Sequence, residues 1–394
     1  MTDASRDEAS SRDANRDLPP SSDTTNTEGT AAFEAIDWSE VDRSKGLLTA
    51  QRIALVAGLL LTAVAYVYFH TQRNSTLFLR WSIGNEDWLL MLATTAIAAY
   101  GLVPLARNGR TRSRLFGRLK RNLPTLLSAV FILGVLAVSL WATMTGFKPS
   151  IWSPTQGVVE EFQRPVGFGG SWAHPLGTDK WGYDVVDLLV VGARPFAYLS
   201  VVTLGLIVPL ATIVGMVAGY YGGRLDDALM AYVDAQISIP AILIYMVAYM
   251  FFLNSMAMLL VAFGLLSWGG IARIVRSETL QRREEGYVLS ARAIGARDRY
   301  VLMRHLLPNV TNTVVPAAFH LIAILVLTEA GLAFIGFHAS FQSWGMTIAE
   351  GVFYGSTTAW WISAFPALTL GVTVIALKRA GDGFRDVLDP RGGS

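Results

Sequence analysis

The chain of 394 residues contains no cysteine, which removes disulfides, thiolate metal sites and cysteine nucleophiles at once. Charge is scarce too, at 16% of residues against the roughly 25% of ordinary soluble domains. No G-x-x-x-x-G-K-[ST] phosphate loop occurs, so ATP hydrolysis by that route lies outside this chain. There is no H-E-x-x-H zinc helix, and the five histidines (His70, His174, His305, His320 and His338) are scattered without ligand spacing. Intramembrane proteolysis would need paired acids, or a serine with a base, deep in apolar segments, and those segments offer few such groups. The expectation is a protein that is not itself an enzyme, with no metal, no cofactor and no nucleic-acid partner.

What the chain does have is apolar length: 52% of its residues are hydrophobic. A helix rising about 1.5 Å per residue needs roughly 18 to 25 apolar residues to cross a hydrocarbon core of about 30 Å. Eight segments qualify, at about 51–70, 88–106, 123–146, 196–220, 228–253, 256–275, 311–336 and 359–379. Residues 1–45 are rich in Asp, Ser, Thr, Glu and Asn and cannot bury enough surface to offset ordering entropy, so they read as a disordered tail. The first apolar run begins only near Ile53, which is unlike a signal peptide, and no cleavage is expected.

Orientation follows from lysine and arginine in the short loops. Arg107, Arg110, Arg112, Arg114, Arg118, Lys120 and Arg121 join the second and third spans with no acid among them, which places that linker in the cytoplasm. Alternation then puts both termini inside, together with Arg273 to Arg304. The loop 147–195 and the segment around Trp344 face outward. That outer loop carries Pro149, Pro154, Pro165, Pro175 and Pro195 with many glycines, and reads as turns and short helical pieces without a core of its own.

Two features stand out chemically. Glu329 is the clearest intramembrane acid, and a carboxylate at mid-membrane costs roughly 2.5 to 3.5 kcal/mol unless it faces a cavity or a partner. It either lines a substrate path or is pinned by helix N–H or hydroxyl partners. The second feature is the charged interval 273–308. Glu284 and Glu285 open a segment in which Tyr287, Val288, Ala291 and Ile294 recur at helical spacing, as one apolar face. Gly295 interrupts it, allowing a left-handed or closely approached backbone. A second helix from about Asp298 to Leu307 follows, with Val301, Leu302 and Leu306 on one side, and Pro308 marks its end and the start of the next span. By composition alone this unit fits equally an amphipathic helix held to lipid by its arginines.

The spacing of Ser290, Ala291, Gly295 and Leu307-Pro308, with the proline thirteen residues after the glycine, resembles the EAA loop of permease subunits of binding-protein-dependent ABC transporters. Leu289 stands where that pattern has Glu, and His305 where Ile is usual. YVLSARAIGA followed by RHLLPN is similar to the version in the dipeptide and oligopeptide permease subfamily. Other landmarks of the subfamily run in order. They include His174, Gly177, Thr178, Asp179 and Asp184 in the outer loop, Ala218-Gly219-Tyr220, Asp226, Asp234 and Pro240, then Arg273 and Arg276. Glu329-Ala330, Ser343-Trp344-Gly345 and a closing Leu388-Asp389-Pro390-Arg391 follow.

The resemblance implies an all-α polytopic membrane bundle: a six-span permease core, 123–394, preceded by an extra pair of transmembrane helices with its basic linker, 46–122. It implies a second permease subunit, two ATP-binding subunits that hydrolyse the ATP, an extracellular solute-binding protein, and surrounding membrane lipid. The loop 284–308 would be the coupling helix seated in a groove of the ATPase, with Tyr287, Val288, Ser290, Ala291, Ile294, Gly295, Ala296, Arg304, Leu307 and Pro308 as its residues. The implied solute is a short peptide. An oligosaccharide or nickel chelate, or a receptor or scaffold role without transport, are the alternatives.

Overall fold

The computed structural model describes residues 38–72, 81, 83–149, 161–251, 255–338, 342–354 and 358–388. Contacts divide the chain into Met1–Ser44 and Lys45–Ser394. The tail expected over 1–45 falls almost wholly outside the described residues, as does most of the closing motif at 388–391. Among the described residues the regular structure is helical, with one isolated antiparallel bridge between Thr178 and Asp184.

The helices are α1 (Trp38–Gln72), α2 (Asn85–Arg107), α3 (Gly109–Arg121), α4 (Leu123–Met144), α5 (Val185–Tyr221), α6 (Gly223–Ser238) and α7 (Ala241–Phe251). Then come α8 (Met256–Arg283), α9 (Gly286–Ala293), α10 (Asp298–Phe334), α11 (Trp344–Tyr354) and α12 (Trp361–Leu388). Seven of these are long and apolar enough to cross a membrane, and α6 with α7 makes an eighth if the bent pair is one span. The break between that pair, 65°, falls at Ile239-Pro240. Proline excludes the preceding residue from the α region, and Ile239 is extended at φ −94°, ψ 115°.

Proline also explains the three π-turns among the described residues, at Ala98–Leu102, Thr203–Ile207 and Leu302–Leu306. Each ends two residues before a proline: Pro104, Pro209 and Pro308. A proline ring clashes with the carbonyl four residues back, here that of Tyr100, Gly205 or Arg304, and the wider turn holds that carbonyl away. The third case corrects a sequence expectation. Pro308 does not separate two helices; α10 runs unbroken from Asp298 to Phe334 through the π-turn.

Two other boundaries move. The outer loop ends at Asp184, which caps α5, and Pro195 sits in the first turn of a helical segment where its missing N–H is not needed. At the far end of α8, Arg273 to Arg283 prolong the helix, so the charged connection itself shrinks to the residues around α9.

Packing centres on α5 and α8. Gly215 and Gly219 lie one turn apart on α5, and a Cβ on Gly215 would meet the Ala272 carbonyl oxygen at 2.4 Å, one on Gly219 that of Arg276 at 2.7 Å. Small residues at this spacing let two membrane helices touch backbone to backbone. On the other side of the bundle α12 packs against α4, α10 and α11. The apolar residues of α1, such as Ile53, Leu60, Leu61 and Val64, are exposed, as suits a lipid-facing helix.

Candidate functional site

The charged connection folds as a short bracket between α8 and α10. Glu285 is extended and its carbonyl accepts from the N–H groups of Val288 and Leu289, starting α9. At the other end Gly295 takes φ +83°, the Ala296 N–H bonds the Ala291 carbonyl at 3.0 Å, and the Gly295 N–H bonds that of Arg292 at 2.9 Å. This paired arrangement is a Schellman cap, which requires a left-handed residue. A Cβ on Gly295 would meet nothing within 4 Å, so backbone conformation and not close approach accounts for the glycine.

The four residues expected to share one apolar face do not. Val288 and Ala291 are buried against the bundle with Val301 and Leu306, whereas Tyr287, Leu289 and Ile294 point outward. Ile294 is 86% exposed at the tip. Val288 and Ala291, three apart, share the inward face, whereas Ile294 lies past the last helical residue, at the cap with φ −84° and ψ 10°, where helical periodicity has ended. Ser290, Gly295, Arg304 and Pro308 are exposed, and Ala296 and Leu307 are partly covered.

Polar contacts pin the bracket from both sides. The Asn309 amide donates to the Tyr287 hydroxyl at 3.2 Å, tying α9 to α10. The Tyr220 hydroxyl, at the C-terminal end of α5, donates to Asp298 Oδ1 at 2.7 Å, and the Arg292 guanidinium lies 5.9 Å over the Tyr220 ring. Arg283 Nη1 donates to the Gly219 carbonyl at 3.0 Å. Arg276 grips Asp226 with two bonds, at 2.5 and 2.6 Å, and Arg273 pairs with Asp234. Asp226, Asp234, Arg273 and Arg276 belong to landmarks visible in the sequence, but their pairing across elements does not show there.

The outer-loop residues come together in a second cluster. His174 Nδ1 lies 3.0 Å from Asp184 Oδ2, and Asp184 Oδ1 accepts from the Val186 N–H at 2.7 Å. Thr178 is buried, its hydroxyl accepting from the Gln163 N–H at 2.9 Å and its carbonyl from Trp361 Nε1 at 3.1 Å. Gly177, at φ +83°, lets Trp361 and the Gln163 carbonyl close over the backbone. Asp179 Oδ1 accepts from Trp181 and Tyr183 N–H groups, both at 2.8 Å, and burial pushes its carboxyl above the usual range. Glu350 on α11 is pushed up as well, by burial first and then by the charge of Asp179.

Residues 211–392 match the family model described as a binding-protein-dependent transport system inner membrane component. A putative peptide transport system permease protein of Brucella suis is 34% identical over 66% of this chain and 86% of its own length. The chain belongs to this permease family. The dipeptide transport system permease protein DppC of Bacillus subtilis is 30% identical over 70% of this chain and 84% of its length. The glutathione transport system permease protein GsiD of Pectobacterium atrosepticum is 28% identical over 75% and 97%. A chain of an inward-facing MetNI methionine ABC transporter overlays with TM-score 0.42 at 20% identity, covering 51% of this chain and 96% of that one, a likeness too distant to carry an argument.

In the permease, Glu329 lies deep in α10, 4% exposed, with the Ser343 hydroxyl as its bonding partner. Its Oε1 and the hydroxyl of buried Tyr245 on α7 have no hydrogen-bond partner among the described residues. Next to it, a Cβ on Gly345 would meet the Ala330 carbonyl oxygen at 2.0 Å, and Trp344 Nε1 donates to the Leu189 carbonyl at 2.9 Å. Ser343-Trp344-Gly345 therefore seats α11 on α5 and α10. The Gly215/Gly219 contact was not foreseen, although two glycines four apart in an apolar span are a readable signal. Tyr220 with Asp298 was not readable, because 78 residues separate them.

Proposed function

We propose that this permease is one half of the membrane channel of an ATP-driven importer of short peptides. It would work with a second permease subunit, two ATP-binding subunits and an extracellular solute-binding protein. The observation that carries this reading is the bracket at α9: an exposed apolar tip at Ile294, flanked by Tyr287 and Leu289, on a backbone held by Val288 and Ala291 beneath it. A tip that is apolar outside and anchored inside suits a surface that receives force. The peptide class rests on the names of the relatives.

In this reading both termini and α9 lie in the cytoplasm, 1–45 is a tail, 46–122 an added helix pair with its linker, and 123–394 the transport core. Closure of the ATP-binding subunits moves the groove holding residues 284–308, and the spans tilt to open a path to the other side. Docking uses the outward set Tyr287, Ser290, Ile294 and Gly295. Val288, Ala291, Ala296, Arg304, Leu307 and Pro308 keep the bracket in place. Glu329 is the candidate group on the path, and His174, Gly177, Thr178, Asp179 and Asp184 fix the shape of the outer mouth.

The test is uptake of a labelled dipeptide into membrane vesicles holding the permease with its neighbouring-gene subunits and binding protein, with mass analysis of the solute that the binding protein carries. ATP-dependent uptake of peptide is expected. ATP-dependent uptake of a sugar, or permease that purifies without any ATP-binding subunit, would contradict the reading.

A further inference from the structure

We infer that the Tyr220–Asp298 hydrogen bond is the positioning contact that passes movement of the α9 bracket into the α5–α8 helix pair. The inference rests on the proposed importer function.

Glu284 and Glu285 on one side of the bracket and Ala296 and Arg297 on the other are exposed or partly exposed, and the chain there makes a cap and a turn. A push on the tip of α9 reaches α8 and α10 through these links only as a hinge would pass it. Beside the packing of Val288 and Ala291 on the bundle, two side-chain hydrogen bonds restrict that freedom. Tyr287 with Asn309 joins α9 to the start of α10, which are already neighbours in sequence. Tyr220 with Asp298 joins the same unit to α5, which is not a neighbour in sequence.

The position of Tyr220 gives this second contact its reach. It lies one residue after Gly219, where α5 and α8 touch backbone to backbone, and Arg283 Nη1 on α8 bonds the Gly219 carbonyl. Thus α5 and α8 are already one body at this level, and Asp298 is the carboxylate by which the first turn of α10 holds that body. The Arg292 guanidinium of α9 over the Tyr220 ring adds a cationic neighbour on the bracket side. Tyr220 is itself mostly buried and is not one of the outward side chains Tyr287, Leu289 and Ile294, so Tyr220→Phe leaves those three side chains in place.

The chemistry separates this role from simple support. The hydroxyl is the donor and Asp298 the acceptor, so Tyr220→Phe removes the bond while keeping the ring, and Asp298→Asn keeps an acceptor oxygen in place. Asp298→Ala removes it. If the contact only stabilised the fold, Tyr220→Phe and Asp298→Ala would lower protein yield and ATP-binding-subunit copurification together. As a transmitter, the bond sets how much transport each hydrolysis event produces.

The experiment uses the assembled complex in proteoliposomes and measures uptake and ATP hydrolysis in the same sample. Tyr220→Phe and Asp298→Ala should retain their ATP-binding subunits and hydrolyse ATP, while uptake per ATP falls by about fivefold or more, the size of a typical coupling between sites. Asp298→Asn should stay close to the unaltered protein. Uptake per ATP in Tyr220→Phe equal to that of the unaltered complex would overturn the inference and leave the importer reading standing. Loss of copurification in Tyr220→Phe would also overturn it, since the contact would then be part of docking. Absence of any ATP-binding subunit from the unaltered permease would overturn both.

Discussion

The Tyr198 hydroxyl donates to Asp87 Oδ1 at 2.6 Å, joining α2 to α5 across 111 residues of sequence. Asp87 is 1% exposed and also accepts from Trp81 Nε1 at 3.0 Å and the Gly84 N–H at 2.7 Å. Close by, a Cβ on Gly205 would meet the Ala93 carbonyl oxygen at 2.5 Å. The second of the two leading spans is therefore built into the bundle, while α1 stays on its exterior. Tyr198→Phe should lower stability by about 1–3 kcal/mol, because the buried Asp87 loses a hydrogen-bond donor. The thermal unfolding midpoint in detergent measures this, and an unchanged midpoint would show that the contact carries no weight.

Ile294→Ser should weaken the hold of the ATP-binding subunits without affecting the fold. Full burial of such a side chain contributes about 1.5–3 kcal/mol, so affinity should drop about tenfold or more. Val288→Ser is the contrasting variant: Val288 is buried within the permease, and its loss should reduce the amount of folded protein. Equal effects of the two on yield would contradict the split between outward and inward rows.

At Gly219 the space for a side chain is already occupied by the Arg276 carbonyl and Thr279. Gly219→Val should force α5 and α8 apart and cut the yield of folded permease sharply, whereas Gly270→Ala on α8, where a Cβ would meet nothing within 4 Å, should be tolerated. Recovery from membranes after detergent extraction compares them.

Asp179 and Glu350 give a pH dependence with a definite sign. Both carboxyls are raised from their ordinary values of 3.8 and 4.5, so the folded protein holds these protons more tightly than the unfolded chain. Their contribution to stability is full below the ordinary values and is lost as pH rises through the raised ones. Lys180 and His338 offset the shift of Glu350 in part. Glu350→Gln should thus gain stability over the unaltered permease as pH rises from acid, read as a growing difference in unfolding midpoint. A difference that stays constant with pH would contradict the assignment.

Much of this was legible in the sequence for physical reasons that are local. Apolar length gave eight spans, of which seven are single helices and 228–253 is the bent pair α6 and α7, and Gly295 marked the end of α9. Periodicity placed Val288 and Ala291 on a common face but could not say that this face turns inward, since both a docking surface and a core face are apolar. The π-turns were hidden because nothing in Leu302 to Leu306 differs from an ordinary helical turn, and a proline alone does not mark one, since Pro316 and Pro366 lie within helices without it. The pairs Asp87 with Tyr198, Tyr220 with Asp298, and Arg276 with Asp226 join residues far apart in sequence, and only the folded bundle brings their complementary groups together.

The central claim is that the tip of α9 meets an ATP-binding subunit. The chain has no cysteine, so Ile294→Cys introduces a single thiol whose crosslinks report one place. In the assembled complex a short thiol crosslinker at that position should join the permease to an ATP-binding subunit, while Trp172→Cys on the outer loop should not. Labelling of the Ile294→Cys thiol from outside intact cells, or its failure to crosslink to an ATP-binding subunit present in the same complex, would contradict the account.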